Sequence, residues 1–279
     1  MNCSNKRVAL VLSLLFLFCQ NNQTEKRSSQ RIISLVPSVT ETIFALGGED
    51  KLVGVTTYCN YPEEAKKKQK VGDFSNPSIE RIMFLRPDLV FATAPEQSKI
   101  INKLKTLGID VITVQPESYS EIIESIKEIG SLLGKEKRAE EILNGLEDDL
   151  KSLKRLVEKI KEKRKVYIEL DCNPLFTVGK NSFLNELIEL SGGENIAGYT
   201  EQTYFAINPE IVVKSDPEVI ILAYPSEGKS VKRRIGWKRI TAVKENRVYS
   251  DIDWKLITSP GPRFTKACFE LYKRFYPEK

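Results

Sequence analysis

The chain has 279 residues, of which 41% are hydrophobic and 29% charged, with a formal net charge of +5. This is a globular composition, not a disordered or fibrous one, and so mild a positive balance gives no basis for a nucleic-acid partner. No histidine occurs anywhere, which excludes His-ligated metal or haem iron and every Ser-His or Cys-His catalytic pair.

The N-terminus reads as an export signal. Residues 1–7 carry Lys6 and Arg7, and residues 8–18 form an apolar run broken only by Ser13. Spanning a bilayer takes about 20 apolar residues, so this run is a signal peptide (1–18) and not a transmembrane helix. Cys19 follows at once, then a polar tether (19–30). An apolar run ending at a cysteine resembles a bacterial lipoprotein signal, with Cys19 as the lipid-attachment site, although Phe18 stands where a small residue is usual. The other reading is an ordinary cleaved signal with Cys19 incidental. In both, the folded part begins near Arg31 and works outside the cytoplasm. Loss of the leader's two cations lowers the net charge from +5 to +3.

Short β-branched runs predict strands at 31–36, 52–55, 89–92 and 111–114, and again at 166–170, 219–222 and 247–249. Helical patterns separate most of them, which predicts α/β sandwich lobes with mostly parallel sheets. An internal repeat supports two lobes. Residues 78–92 and 208–222 both read helix, turn, strand, with Glu80 seven residues before Pro87 and Glu210 seven before Pro217. Upstream, each half has an apolar helix running into Gly-Gly-Glu, at 47–49 and at 192–194. The expected organisation is an N-terminal lobe (31–117), linking helices (118–164) and a C-terminal lobe (165–279). The linker is no Gly/Ser tether. Residues 121–133 are amphipathic, and a helix is predicted over 135–163, where Leu143, Leu146, Leu150, Leu153, Val157 and Ile160 form one apolar stripe. That stripe is too short for a coiled-coil dimer, so the expected state is a monomer with a stiff helical spine.

Little in the chain suggests catalysis. There is no GxSxG, and Gly130 to Lys135 falls one residue short of a phosphate-binding loop. The five cysteines include no CxxC pair; Cys59, Cys172 and Cys268 are expected as free thiols, though sequence alone does not fix pairing. No resident cofactor or protein-bound metal is expected. What the chain offers instead is aromatic and Pro/Gly-rich loops after the strands: residues 56–62, 72–76, 171–179, 199–205, 251–254 and 259–263. Ligands of open α/β sheets bind beyond the carboxyl ends of strands, and aromatic surfaces flanking a gap suit a large flat ligand. Trp237, in a basic helical context, reads as packing.

These residues also carry a resemblance. The segments RIISLVPSVTET (31–42), LVGV (52–55), SIERI (78–82), RPDLV (86–90), GGEN (192–195) and SPGPR (259–263) together resemble the iron-siderophore and cobalamin substrate-binding family of ABC importers. The resemblance implies two α/β lobes joined by a long rigid helix, a ligand between them and an ABC permease as partner. The YCNYP loop (58–62), with Asp253-Trp254 and the 260–263 ending, is most similar to cobalamin-binding members. It implies that Tyr58, Phe74, Tyr204 and Trp254 line a corrin site, with Asp253 and Arg263 as polar contacts. It further implies that Glu80 and Glu210 dock the lobes on the permease. Thr93 and Tyr204 depart from that pattern, standing where some cobalamin binders carry tryptophan. Cobalamin brings its own cobalt, so the missing histidines fit it. A ferric siderophore would call for several cations where only Arg263 stands out, and haem would need a tyrosine ligand such as Tyr58 or Tyr61. The reading from another class is an extracytoplasmic hydrolase.

Overall fold

A computed structural model describes residues 31–277 apart from 227, 229 and 230. The signal, the tether and Cys19 lie outside the described residues. The N-terminal lobe runs β1 (Ile32–Ser34), α1 (Pro37–Ala45), β2 (Leu52–Val55), α2 (Ile79–Phe84), β3 (Leu89–Ala92), α3 (Ser98–Thr106) and β4 (Asp110–Thr113). Its strands form one parallel sheet in the order β2-β1-β3-β4. Two helices follow, α4 (Tyr119–Leu133) and α5 (Glu136–Val157).

The C-terminal lobe runs β5 (Arg164–Glu169), β6 (Asp171–Cys172), β7 (Leu175–Val178), α6 (Phe183–Leu190), β8 (Gly193–Asn195), β9 (Tyr204–Ala206), α7 (Pro209–Ser215), β10 (Val219–Leu222), α8 (Thr241–Lys244), β11 (Val248–Tyr249), α9 (Trp254–Ile257) and α10 (Phe264–Phe275). Its parallel sheet is ordered β11-β10-β5-β8. Read from the other edge, this is the N-terminal order with β8 for β2, β5 for β1, β10 for β3 and β11 for β4, so the sequence repeat is a structural repeat. Backbone detail repeats with it. Arg86 and Asp216, each just before the repeat's proline, share a positive φ of 47° and 45°, a region that non-glycine residues seldom enter. In each Gly-Gly-Glu the first glycine, Gly47 or Gly192, takes a positive φ past the helix end. The second allows close approach: a Cβ on Gly48 would lie 2.7 Å from a Leu133 methyl, and one on Gly193 2.8 Å from Phe275.

The C-terminal lobe adds what the repeat lacks. Strands β6, β7 and β9 make a small antiparallel sheet. Residues 171–179 and 199–205, read from sequence as loops, are therefore partly strand. Polar and Pro/Gly content hid them, and the register of Phe176 with Ala206 and Val178 with Tyr204 is a long-range pairing that local pattern does not encode.

Between the lobes the expected linking helices are α4 and α5. Helix α4 ends on Gly134, left-handed at φ 69°, and Lys135 N donates to Gly130 O at 2.7 Å, closing the turn into α5. Helix α5 stops at Val157 and not at 163. Its last turn tightens, with Lys159 N donating to Leu156 O and Ile160 N to Val157 O. Ile160 leaves the stripe to pack on Gly192. Ile122, Ile126, Ile129 and Leu133 of α4 and Leu146 and Leu153 of α5 are buried in one apolar core that continues from Ile32 and Ile43 in one lobe to Val166 and Phe264 in the other. A shared core of this kind makes the lobes resist bending, since close-packed interiors do not deform smoothly. Among the described residues no helix is long and apolar enough to cross a membrane.

Candidate functional site

A cavity of about 390 Å³ lies where the lobes face each other. The N-terminal wall comes from the carboxyl ends of all four parallel strands: Val36 and Ser38 after β1, Tyr58 and Asn60 after β2, Thr93 and Glu96 after β3, Val114 to Glu117 after β4. The opposite wall is Phe183 at the start of α6, Tyr204 on β9, and the stretch from Trp254 to Pro260 after β11. This is where the fold places ligands in open α/β sheets.

Four expected residues meet here, Tyr58, Phe74, Tyr204 and Trp254. Tyr58 and Phe74 have ring centroids 6.1 Å apart and tilted planes, near the upper limit for an aromatic pair. Their loops are tied together: Thr57 N donates to Gly72 O at 2.9 Å. Gln97, buried, holds the arrangement from below. Its Oε1 accepts from Thr93 N at 3.0 Å, and its Nε2 donates to Phe74 O at 2.7 Å and to Leu35 O at 3.2 Å. Lys70 donates to Cys59 O and Ala65 O and fixes the 58–62 loop.

The expected polar contacts are placed otherwise. Arg263 does not line the cavity. Its guanidinium makes a bidentate pair with Glu41, Nη2 to Oε1 at 2.6 Å and Nε to Oε2 at 2.8 Å. It also sits 3.7 Å from the ring centroid of Tyr61, a cation–π stack. A carboxylate 5% exposed must be paired, and Glu41 on α1 claims the arginine that sequence reading left free for a ligand. The pair joins the lobes, and Ser259 Oγ adds a third bond to Glu41 at 3.3 Å. Burial pushes the Glu41 carboxyl above its usual range, against the pull of Arg263. Asp253 is exposed and caps α9, accepting from Lys255 N at 3.1 Å. Trp237 is fully buried against Tyr167 and Arg234.

Sequence reading missed Glu41, Glu96, Glu117, Phe183 and Lys255. Glu41 was visible as the lone acid among Val39, Ile43 and Leu46 on a helix, a position that buries a charge; the others look like ordinary loop or helix-end residues until the lobes are apposed. Glu117 is half-buried, and burial raises its pKa while Gln115 Nε2, 3.1 Å from Oε1, pulls the other way. Across the gap, burial and then the Glu117 charge push the Tyr204 hydroxyl up. Cys59 and Cys268 are buried and Cys172 is exposed, all free thiols.

Glu80 and Glu210 do not line this cavity and sit in the first turns of α2 and α7. Glu80 Oε2 accepts from Ser78 Oγ at 2.8 Å, and Asn208 Oδ1 accepts from Glu210 N at 2.9 Å.

Comparison with known proteins agrees with this geometry. The model of a family described as periplasmic binding protein matches residues 32–253. An uncharacterized ABC transporter substrate-binding lipoprotein of Bacillus subtilis is 39% identical over 91% of this chain and 82% of its own length. A vitamin B12-binding protein of Vibrio parahaemolyticus is 29% identical over 96% of both chains. Among solved structures, the periplasmic vitamin B12 binding protein of Vibrio cholerae has a TM-score of 0.76 at 26% identity, covering 89% of this chain and 97% of its own. A periplasmic heme-binding protein of Roseiflexus, in apo form, has a TM-score of 0.79 at 25% identity, covering 89% and 98%.

Proposed function

Since this chain belongs to the periplasmic binding protein family of ABC-transporter substrate-binding proteins, we propose that its cargo is cobalamin or a related corrinoid, captured outside the cytoplasm and handed to a membrane permease. The family is one of transport proteins and not of enzymes, so the hydrolase reading finds no support in it. One observation carries the proposal: aromatic faces from both lobes, Tyr58 and Phe74 against Tyr204 and Trp254, flank a single cavity. Rings on opposite walls bury a flat macrocycle by stacking and apolar contact together.

The vitamin B12-binding relative and solved structure favour the same cargo. The withdrawal of Arg263 into its pair with Glu41 weighs against a polyanionic siderophore, because the cation that would have met it is already neutralised. Haem is the second reading. The half-exposed Tyr58 phenol offers an iron ligand, and the heme-binding structure matches the fold as well as the cobalamin one does. On this reading of the chain, Cys19 carries the lipid anchor, Glu80 and Glu210 are the permease contacts of the two lobes, and the protein acts as a monomer.

Calorimetric titration of the exported protein with cyanocobalamin, hemin and a ferric hydroxamate tests the cargo. One-to-one binding of cyanocobalamin is expected. Silence toward every corrinoid beside tight binding of hemin would replace it with haem.

A further inference from the structure

The charged lining of the cleft is one-sided. Glu41, Glu96 and Glu117 are its acids and Lys255 its base; no arginine lines it among the described residues. Glu41 is neutralised by Arg263. Lys255 Nζ lies 5.5 Å from the ring centroid of Trp254, on the C-terminal wall. That leaves Glu96 and Glu117, which follow β3 and β4 on the N-terminal wall, as its unneutralised charges. Glu96 is exposed at the rim. Glu117 is half-buried, with Oε1 accepting from Gln115 and the Tyr204 hydroxyl and Phe183 backbone facing its carboxylate, and no cation beside it among the described residues. Carboxylates accept hydrogen bonds and cannot donate them. A ligand edge bearing N–H donors would satisfy this wall. A ligand edge bearing carboxylates would meet like charge, least screened beside half-buried Glu117, and like-charge juxtaposition is a means of rejection.

We propose that Glu96 and Glu117 form an acidic selectivity wall that admits corrinoids whose peripheral side chains are carboxamides and rejects those whose side chains are free carboxylates. This rests on the corrinoid reading of the same cleft and adds to it the rule by which the site chooses among corrinoids. The pairing of Glu41 with Arg263 is part of the device, because it withholds the guanidinium that would otherwise bind a carboxylate side chain bidentately.

The test compares two corrinoids that share a ring and differ in side-chain charge, cobinamide and cobyrinic acid. Affinities are measured for the unaltered protein and for Glu96→Gln, Glu117→Gln and the double variant, with thermal unfolding confirming that each folds. The unaltered protein should prefer cobinamide, and the double variant should shrink that preference by about tenfold or more through gained affinity for cobyrinic acid. A preference unchanged in a folded double variant overturns the wall. Should neither corrinoid bind, the cargo reading falls by itself. The wall is then read with hemin and its dimethyl ester: preference for the ester, lost in the double variant, sustains it, and no preference overturns it.

Discussion

Two arginine–carboxylate pairs with a buried carboxylate stand next to an aromatic ring, one inside the C-terminal lobe and one between the lobes, and they have different tasks. In the C-terminal lobe, Arg234 forks onto fully buried Glu169 at 2.6 and 2.7 Å and stacks on Trp237. Tyr224 donates a further bond to the same carboxylate at 2.6 Å. All of these residues belong to one lobe, so the pair fixes the segment after β10 against the end of β5. Glu41 and Arg263 have the same fork and the same kind of stack, but one partner belongs to each lobe and the carboxylate lines the cleft. Identical chemistry therefore serves local packing in one place and the spacing of the two walls in the other.

The largest expected effect follows from breaking the local pair. Arg234→Ala leaves the Glu169 charge buried beside one hydroxyl donor, which should cost about 3–5 kcal/mol of stability. Urea denaturation measures it, and the folded fraction should keep its ligand affinity. Arg263→Ala strands Glu41 in the same way, but water can reach it from the cleft, so the cost should fall near the low end, about 3 kcal/mol. Here ligand affinity should fall as well, since wall spacing is lost. If both variants lose stability alone, the distinction between the pairs fails.

Acid titration sharpens the same contrast. The Glu41 carboxyl is pushed above its ordinary value of 4.5 in the folded protein, so the native state holds that proton to higher pH than the unfolded chain. The stability it contributes is therefore fullest below 4.5 and is lost as pH rises through the raised value. Glu41→Gln should flatten that part of the stability–pH curve measured by denaturation. An unchanged slope would mean that another group sets it.

A smaller effect, confined to binding, is expected at the aromatic walls. Trp254→Ala should weaken cyanocobalamin binding by about 1–3 kcal/mol, the range for losing a stacked anchor, and leave unfolding nearly unchanged. Tyr58→Ala on the facing wall should do the same to a lesser degree, because a tyrosine offers less stacking surface. Equal loss of stability and affinity would mark Trp254 as a packing residue.

These contrasts show where local pattern carries information. The repeat was legible because Glu-to-Pro spacing and Gly-Gly-Glu are short-range features, and the sheet orders bear it out. The aromatics of the cleft were legible because loops after strands are where the fold exposes rings. Arg263 was misread for a physical reason: its partner Glu41 lies in the other lobe, and whether a buried carboxylate claims an arginine is decided by three-dimensional pairing that no window of sequence contains. Strands β6, β7 and β9 escaped for a related reason, being held by pairing across the lobe and not by propensity.

The smallest effect on the folded protein is expected at Glu80 and Glu210, the most symmetrical comparison of all. Each sits in the first turn of a short helix, where a negative charge is favoured by the helix dipole. A backbone N–H, and then the Ser78 hydroxyl, hold the Glu80 carboxyl below its ordinary range, although it is fully exposed. Capping alone would account for both residues. What it leaves unexplained is the apolar surface beside each: Phe84, 85% exposed, lies one turn along from Glu80, and Ile211, 37% exposed, follows Glu210. Charge flanked by exposed apolar side chains, repeated once per lobe, suits a two-point contact that fixes orientation. Glu80→Lys and Glu210→Lys, alone and combined, should leave ligand affinity unchanged and shift unfolding only slightly. Ligand uptake by cells should fall in each single variant and be abolished in the double one. Normal uptake in a folded double variant would reduce both glutamates to helix caps and leave Phe84 and Ile211 without a partner.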